Sequence, residues 1–173
     1  MALWFSASAV LPALTQEWGL TESSRAWMTM AVQLGFVTGA LISAFLNLPD
    51  ILSPRAVFAG SALLGAAVNA AIPLWAQGPE VAIPLRFLTG AFLAGVYPPG
   101  MKIMATWFER GRGMALGVLV GAVTLGTALP HLIAALGTPD WHRTMYAASV
   151  MSAVAAVLAV TVIREGPLRV PSP

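Results

Sequence analysis

Apolar residues run along the chain in six stretches centred near residues 8, 36, 65, 94, 124 and 152, and polar positions gather in the breaks between them. Five of the stretches, about 25–47, 54–76, 80–108, 112–136 and 141–163, hold the roughly 20 residues that a helix rising about 1.5 Å per residue needs to cross a hydrocarbon core of about 30 Å. The first, about 2–15, ends at Gln16 and Glu17 and at the same rise reaches only about two thirds of the way. The pattern predicts an all-α membrane protein: a six-helix transmembrane bundle over 1–163 whose first helix is truncated at its start. The stretch 164–173, rich in proline, is expected to leave the membrane as an extended tail that begins a cytoplasmic linker.

Composition sharpens this. Nine basic and seven acidic residues in 173 make 9% of the chain charged, against roughly a quarter in ordinary soluble domains. A water-soluble particle could not cover its surface with so few. In lipid only helices or closed barrels satisfy every backbone group, and the strict polar–apolar alternation of a barrel strand is absent. A secretory signal is disfavoured at the start, because Ser6-Ala7-Ser8-Ala9 lacks a basic leader and an adequate apolar core before it. Cysteine is absent, which removes disulfide and thiol chemistry. The basic residues are dispersed between helices and form no cluster, so nucleic acid is not an expected partner.

The charges also orient the bundle. Arg55, Lys102, Arg110, Arg112, Arg164 and Arg169 follow the second, fourth and sixth stretches, while Arg25 and Arg143 follow the first and fifth. The positive-inside rule then places the even breaks and both termini in the cytoplasm of a cell (inner) membrane. Trp18, Trp27, Trp75 and Trp141 fall at the outer interface and Trp107 at the inner one, as an aromatic belt requires. Trp4 falls near mid-membrane, where the belt gives it no reason to be. An offset of 87 residues superimposes Pro12 on Pro99, Arg25 on Arg112 and Gly39 on Gly126. This suggests two three-helix repeats, and an odd number of helices per repeat inverts the second copy.

Several residues carry candidate mechanism. Gly35, Gly39 and Ser43 in the second stretch, and Gly113, Gly117 and Gly121 in the fifth, recur every four residues. Each set makes a smooth face for close helix contact, static or sliding. Pro98, Pro99 and Pro130 lie inside expected helices and should kink them. Arg86 sits about one and a half turns into the fourth helix with a charge that deprotonation cannot remove, and an intramembrane charge is functional by default. At about 100° per residue Gly90 and Tyr97 share its face. The competing reading is an arginine that snorkels outward or ties helix ends through carbonyls. Gln33 and His131 are further buried polar candidates, and Asn69 reads as a packing hydrogen bond. Lys102 lies on another face and is read as snorkelling to headgroups. Catalytic triads, metal clusters and phosphate loops have no support, so neither enzyme chemistry nor a cofactor is expected.

The segment from Arg86-Phe87-Leu88-Thr89-Gly90 to Gly95, and the run Thr106-Trp107-Phe108-Glu109-Arg110-Gly111-Arg112-Gly113-Met114-Ala115-Leu116-Gly117, resemble the helix-four motif and the helix-five entry of the major facilitator superfamily. Over almost its whole length the chain is similar to that family's amino-terminal six-helix half. The resemblance implies a role for Arg86 in substrate or proton coupling and a gating loop that includes Asp50, Arg55 and Arg112. Ile51, Ser53 and Pro54 stand where that loop usually has an arginine, a glycine and another basic residue. Thr127, Ala128 and Leu129 separate Gly126 from Pro130, so the Gly-Pro pair of drug antiporters is missing. The expected function is secondary active transport of a small solute by alternating access, in partnership with the lipid bilayer and either a carboxy-terminal six-helix half or a second copy. The alternatives are a non-transporting fragment or membrane scaffold, or a half-transporter that homodimerises.

Overall fold

The structure, a computed structural model, describes residues 1–47, 51–108, 110–136, 140–164 and 166–168, with the side chains of Arg112 and Leu136 outside the description. Its helices are α1 (Ala2–Trp18), α2 (Glu22–Phe45), α3 (Pro54–Trp75), α4 (Pro79–Leu93), α5 (Tyr97–Ala105), α6 (Arg112–Leu136) and α7 (Trp141–Thr161). Their ends follow capping chemistry. The Thr21 hydroxyl accepts from Ser24 N, the Ser53 hydroxyl from Ala56 N ahead of Pro54, and the Asp140 carboxylate from His142 N, each satisfying a donor that a helix start leaves unpaired. Gly19 ends α1 at φ 59°, in the left-handed region where glycine is unstrained.

The expected fourth helix is two pieces. Pro98 and Pro99 cannot give amide hydrogens to the carbonyls of Ala94 and Gly95. The chain therefore tightens into three-residue steps, Gly95 N to Phe92 O at 3.0 Å and Val96 N to Leu93 O at 3.1 Å, and restarts at Tyr97. The prolines then sit in the first turn of α5, where a missing N–H costs nothing. Pro130, by contrast, lies within an unbroken α6. Helix α1 continues through Gln16 and Glu17 to Trp18, so its 17 residues reach about 25 Å.

The helices alternate between an end rich in tryptophan, where α1 finishes and α2 starts, and an end rich in arginine, where α2 finishes and α3 starts. Helix α2 packs chiefly on α4, α3 chiefly on α7, and α1 on α6 and α7. Exchanging α1, α2 and α3 for the α4–α5 pair, α6 and α7 carries the α2–α4 contact onto α6–α1 and leaves α3–α7 on itself. The main contacts thus have the symmetry expected of two repeats. Gly39 lies against Ala91 of α4, and Gly126, 87 positions on, lies beside Met1 at the start of α1.

Because lipid does not drive helices together by the hydrophobic effect, association depends on close packing and internal hydrogen bonds. Both are present. Ala59 and Ala62 of α3 meet Ala156 and Ala159 of α7. Above them Asn69 of α3 accepts from the Ser6 hydroxyl of α1 at 3.0 Å, and donates to Met145 O at 3.2 Å and to the Ser149 hydroxyl of α7 at 3.0 Å. One buried amide therefore joins three helices, as expected for a packing hydrogen bond. At the tryptophan-rich end the Trp141 indole donates to Glu17 Oε2 at 2.6 Å, and Trp18 meets Trp141 edge to face. Trp27 and Trp75 stay exposed as belt residues, whereas Trp141 is buried.

The two glycine faces differ. A Cβ on Gly35 would overlap the Phe87 carbonyl, one on Gly39 the Ala91 backbone, and one on Gly90 the Val32 carbonyl, so α2 and α4 meet backbone to backbone. Nothing lies near Gly113, Gly117 or Gly121 among the described residues, so the expected contact face of α6 has no neighbour there. Gly35→Ala or Gly39→Ala must push the α2 and α4 backbones apart and is expected to cost about 2 kcal/mol or more. Gly117→Ala changes only helix propensity and is expected to be neutral or stabilising by up to about 1 kcal/mol. Thermal unfolding in detergent tests the contrast, and equal effects at the three positions would contradict this packing.

Candidate translocation site

Arg86 stands two turns into α4 and is fully buried. Its guanidinium donates to three backbone carbonyls: Nη1 to Leu3 O at 2.8 Å, Nη2 to Trp4 O at 2.5 Å, and Nε to Met28 O at 3.4 Å. The first two belong to α1 and the third to α2. The side chain therefore joins the first turn of α1 to a carbonyl about two turns into α2. Charge-assisted bonds to carbonyls are strong where no water competes. Gly90 lies one turn further on, against Val32, so the face that carries Arg86 is the α4 face sealed by α1 and α2. Of the two readings of this arginine, the arrangement matches the one in which it ties helices through carbonyls.

This geometry also accounts for Trp4. Its carbonyl receives Arg86 and its ring meets Phe36 of α2 edge to face at 5.2 Å, within a cluster of Ala2, Leu3, Val32, Leu93 and Ala148. A side chain unexplained by membrane depth is explained by packing. The Leu3 carbonyl also accepts from the Ser6 hydroxyl at 2.9 Å, which links the Arg86 contact to the Asn69 network. No sequence signal marks Leu3 or Ser6, because a carbonyl acceptor places no demand on the side chain of its own residue.

The other candidates do not join Arg86. Tyr97 starts α5 beyond the break, so the stripe expected to unite it with Arg86 and Gly90 is interrupted. It is half-buried and lines a cleft of about 340 Å³ with Phe58, Leu93, Leu119 and Val123 beside Met1. Gln33 and His131, expected to be buried, are exposed. Gln33 is on an exposed face of α2, and His131, though exposed, approaches the Phe5 ring of α1 at 6.4 Å. Arg55 donates from α3 to Ala159 O at 3.2 Å and to Val160 O, so it caps the last turn of α7. Asp50 and the Arg112 side chain lie outside the described residues, as does any pairing between them. Among the described residues no group of acidic or histidine side chains could hold a metal ion.

Truncating Arg86 removes three donors and a large buried volume. Arg86→Ala is expected to lower stability by about 2–4 kcal/mol, and Arg86→Lys to recover only a fraction, since one ammonium cannot span the same three carbonyls. Unfolding midpoints in detergent read this. An unchanged midpoint in Arg86→Ala would show that the clasp does not hold the helices.

Comparison with known proteins agrees with the bundle. The Major Facilitator Superfamily profile matches residues 1–173. The chain is 27% identical over 159 residues to the 4-hydroxybenzoate transporter PcaK of Pseudomonas putida, covering 90% of this chain and 35% of that protein. It is 27% identical over 152 residues to the protein of the same name from Pseudomonas aeruginosa, covering 86% and 33%. To the puromycin resistance protein pur8 of Streptomyces alboniger it is 33% identical over 141 residues, covering 79% and 27%. The chain thus spans about a third of the length of the relatives it matches. With its apolar spans, its three-helix symmetry and a match along its whole length, the chain belongs to the major facilitator superfamily.

Proposed function

We propose that the chain is one six-helix half of a secondary transporter for a small organic solute, working by alternating access with a second half. The observation that carries this is the family match over all 173 residues. It is supported by the way the bundle divides its surface. Residues that hold the helices together, Arg86, Asn69 and Gly35, point inward, whereas Gln33 on α2 and His131 with Gly113, Gly117 and Gly121 on α6 are left on outward faces. Small and polar residues on lipid-length helices suit an opposing helix surface and a solute path better than hydrocarbon. In this reading Arg86 positions α1 and α2, and Gln33, His131 and Tyr97 are the solute contacts. The loop of Asp50, Arg55 and Arg112 gates, with both termini in the cytoplasm. Two of the relatives are named for 4-hydroxybenzoate and one for puromycin, so an aromatic organic solute is the first choice for assay.

Uptake of 4-hydroxybenzoate into vesicles tests the proposal. A protein that carries this chain joined to a second six-helix half is expected to accumulate it, and the chain alone is not. Gln33→Ala is expected to lower uptake at least fivefold with an unchanged unfolding midpoint, because an exposed side chain contributes little to folding. Full uptake by that variant would remove Gln33 from the path. Uptake by the chain alone, with a defined dimer in detergent, would replace the two-half arrangement with a homodimer.

A further inference from the structure

Helix α5 has only nine residues, too few for a helix to be stable unaided, so its position depends on what holds its two ends. At its start the carbonyls of Ala94 and Gly95 face positions 98 and 99, both proline, and lack their helical donors. The regular four-residue ladder is therefore interrupted at 94–96, where Ala94 N still bonds to Gly90 O but Gly95 N and Val96 N take three-residue steps to Phe92 O and Leu93 O.

At the far end the chain leaving α7 turns back onto α5. The Trp107 indole donates to Arg164 O at 2.8 Å, Gly166 N donates to the Thr106 hydroxyl at 2.7 Å, and Leu168 N donates to Thr106 O at 3.1 Å. The Thr106 hydroxyl in turn donates to Ile103 O at 2.7 Å, so it relays the contact into the last turn of α5. Gly166 is buried, and a Cβ there would overlap the Thr106 carbonyl. Only glycine fits. The contact gives acceptors and donors to backbone groups that a helix end leaves open. The end of α7 is itself fixed to α3 by Arg55 through Ala159 O and Val160 O.

We propose that Arg164 and Gly166–Leu168 form a strap that holds the far end of α5 to the end of α7, and that undocking the strap lets α5 turn about the break at 94–96. The sequence marks neither the break nor the strap as a unit, because the prolines read as kinks and 164–173 reads as a free tail. A strap at one end and an interrupted helical ladder at the other set this short helix apart from the rest of the bundle. The inference goes beyond the transport reading, and its test uses no solute.

The chain has no cysteine, so a single Gly100→Cys reports on α5 without background; a Cβ there meets only the Phe58 ring, at 3.6 Å, an ordinary contact. The full chain in detergent is labelled with a water-soluble maleimide, and amide exchange is followed at Gly166 and Leu168. Thr106→Val keeps the shape of the side chain but removes the hydroxyl, and Gly166→Ala forces the strap away. Both are expected to raise the labelling rate about fivefold, the factor that one ordinary hydrogen bond supplies, and to speed exchange at Gly166, while Thr106→Ser changes neither. Faster exchange with unchanged labelling would reduce the strap to a passive tether and overturn the proposal. Free-peptide exchange at both amides in the unaltered chain would overturn it as well. If Gly166→Ala does not fold, Thr106→Val against Thr106→Ser decides the matter alone.

Discussion

Hydrocarbon offers a helix no competing hydrogen-bond partner and no hydrophobic gain on meeting another helix. The bundle depends on this constraint throughout. Its helices come together where side chains are absent or small, and its few buried polar side chains are directed mainly at backbone carbonyls. Arg86 joins α4 to α1 and α2, Asn69 joins α3 to α1 and α7, and Arg55 joins α3 to the end of α7. In water such bonds would contribute modestly, because solvent exchanges for them. Here each acts where the chain has little else to fix the angle and depth of one helix against the next.

The α2–α4 contact shows how the two devices cooperate. Gly35, Gly39 and Gly90 bring the backbones close enough that a single Cβ would not fit, and this closeness places the Met28 carbonyl within reach of Arg86 Nε. A bulkier interface would carry the Met28 carbonyl out of reach and leave Nε buried without its acceptor, which is costly in low dielectric. The glycines and the arginine therefore form one feature, although the sequence presents them as a packing motif and a charge.

The fold was legible because apolar length and the placement of charges are properties of the sequence alone. Stretches about as long as a bilayer is thick gave the spans, and the 87-residue offset pointed to a symmetry that reappears in the helix contacts. The site was less legible, for a physical reason. Periodicity says which residues share a face, but not whether that face meets a neighbour. Gln33 and Gly117 carry the same signals as buried residues yet lie on uncovered faces, and Tyr97 lost its common stripe with Arg86 because two adjacent prolines ended one helix and began another. Trp4 ran the other way: its misfit with membrane depth was visible in the sequence, and the packing of its ring against Phe36 of α2 was the reason.

The two repeats are symmetric in contact pattern but not in how closely they are held. Helix α2 lies along α4 through glycines on both sides, whereas its counterpart α6 meets α1 less extensively and, among the described residues, keeps the face of Gly113, Gly117 and Gly121 open. Equal burial of both would produce a bundle with no smooth face left to offer. Two closely packed pairs, α2 with α4 and α3 with α7, provide a rigid frame, and α6 and α5 are the members with fewest fixed neighbours. Packed interfaces switch between discrete arrangements and do not deform continuously, so the physical division is between a close-packed frame and two helices with less to hold them. Arg86 and Asn69 belong to the frame, where each ties three helices together, and among the described residues neither bonds to α5 or α6.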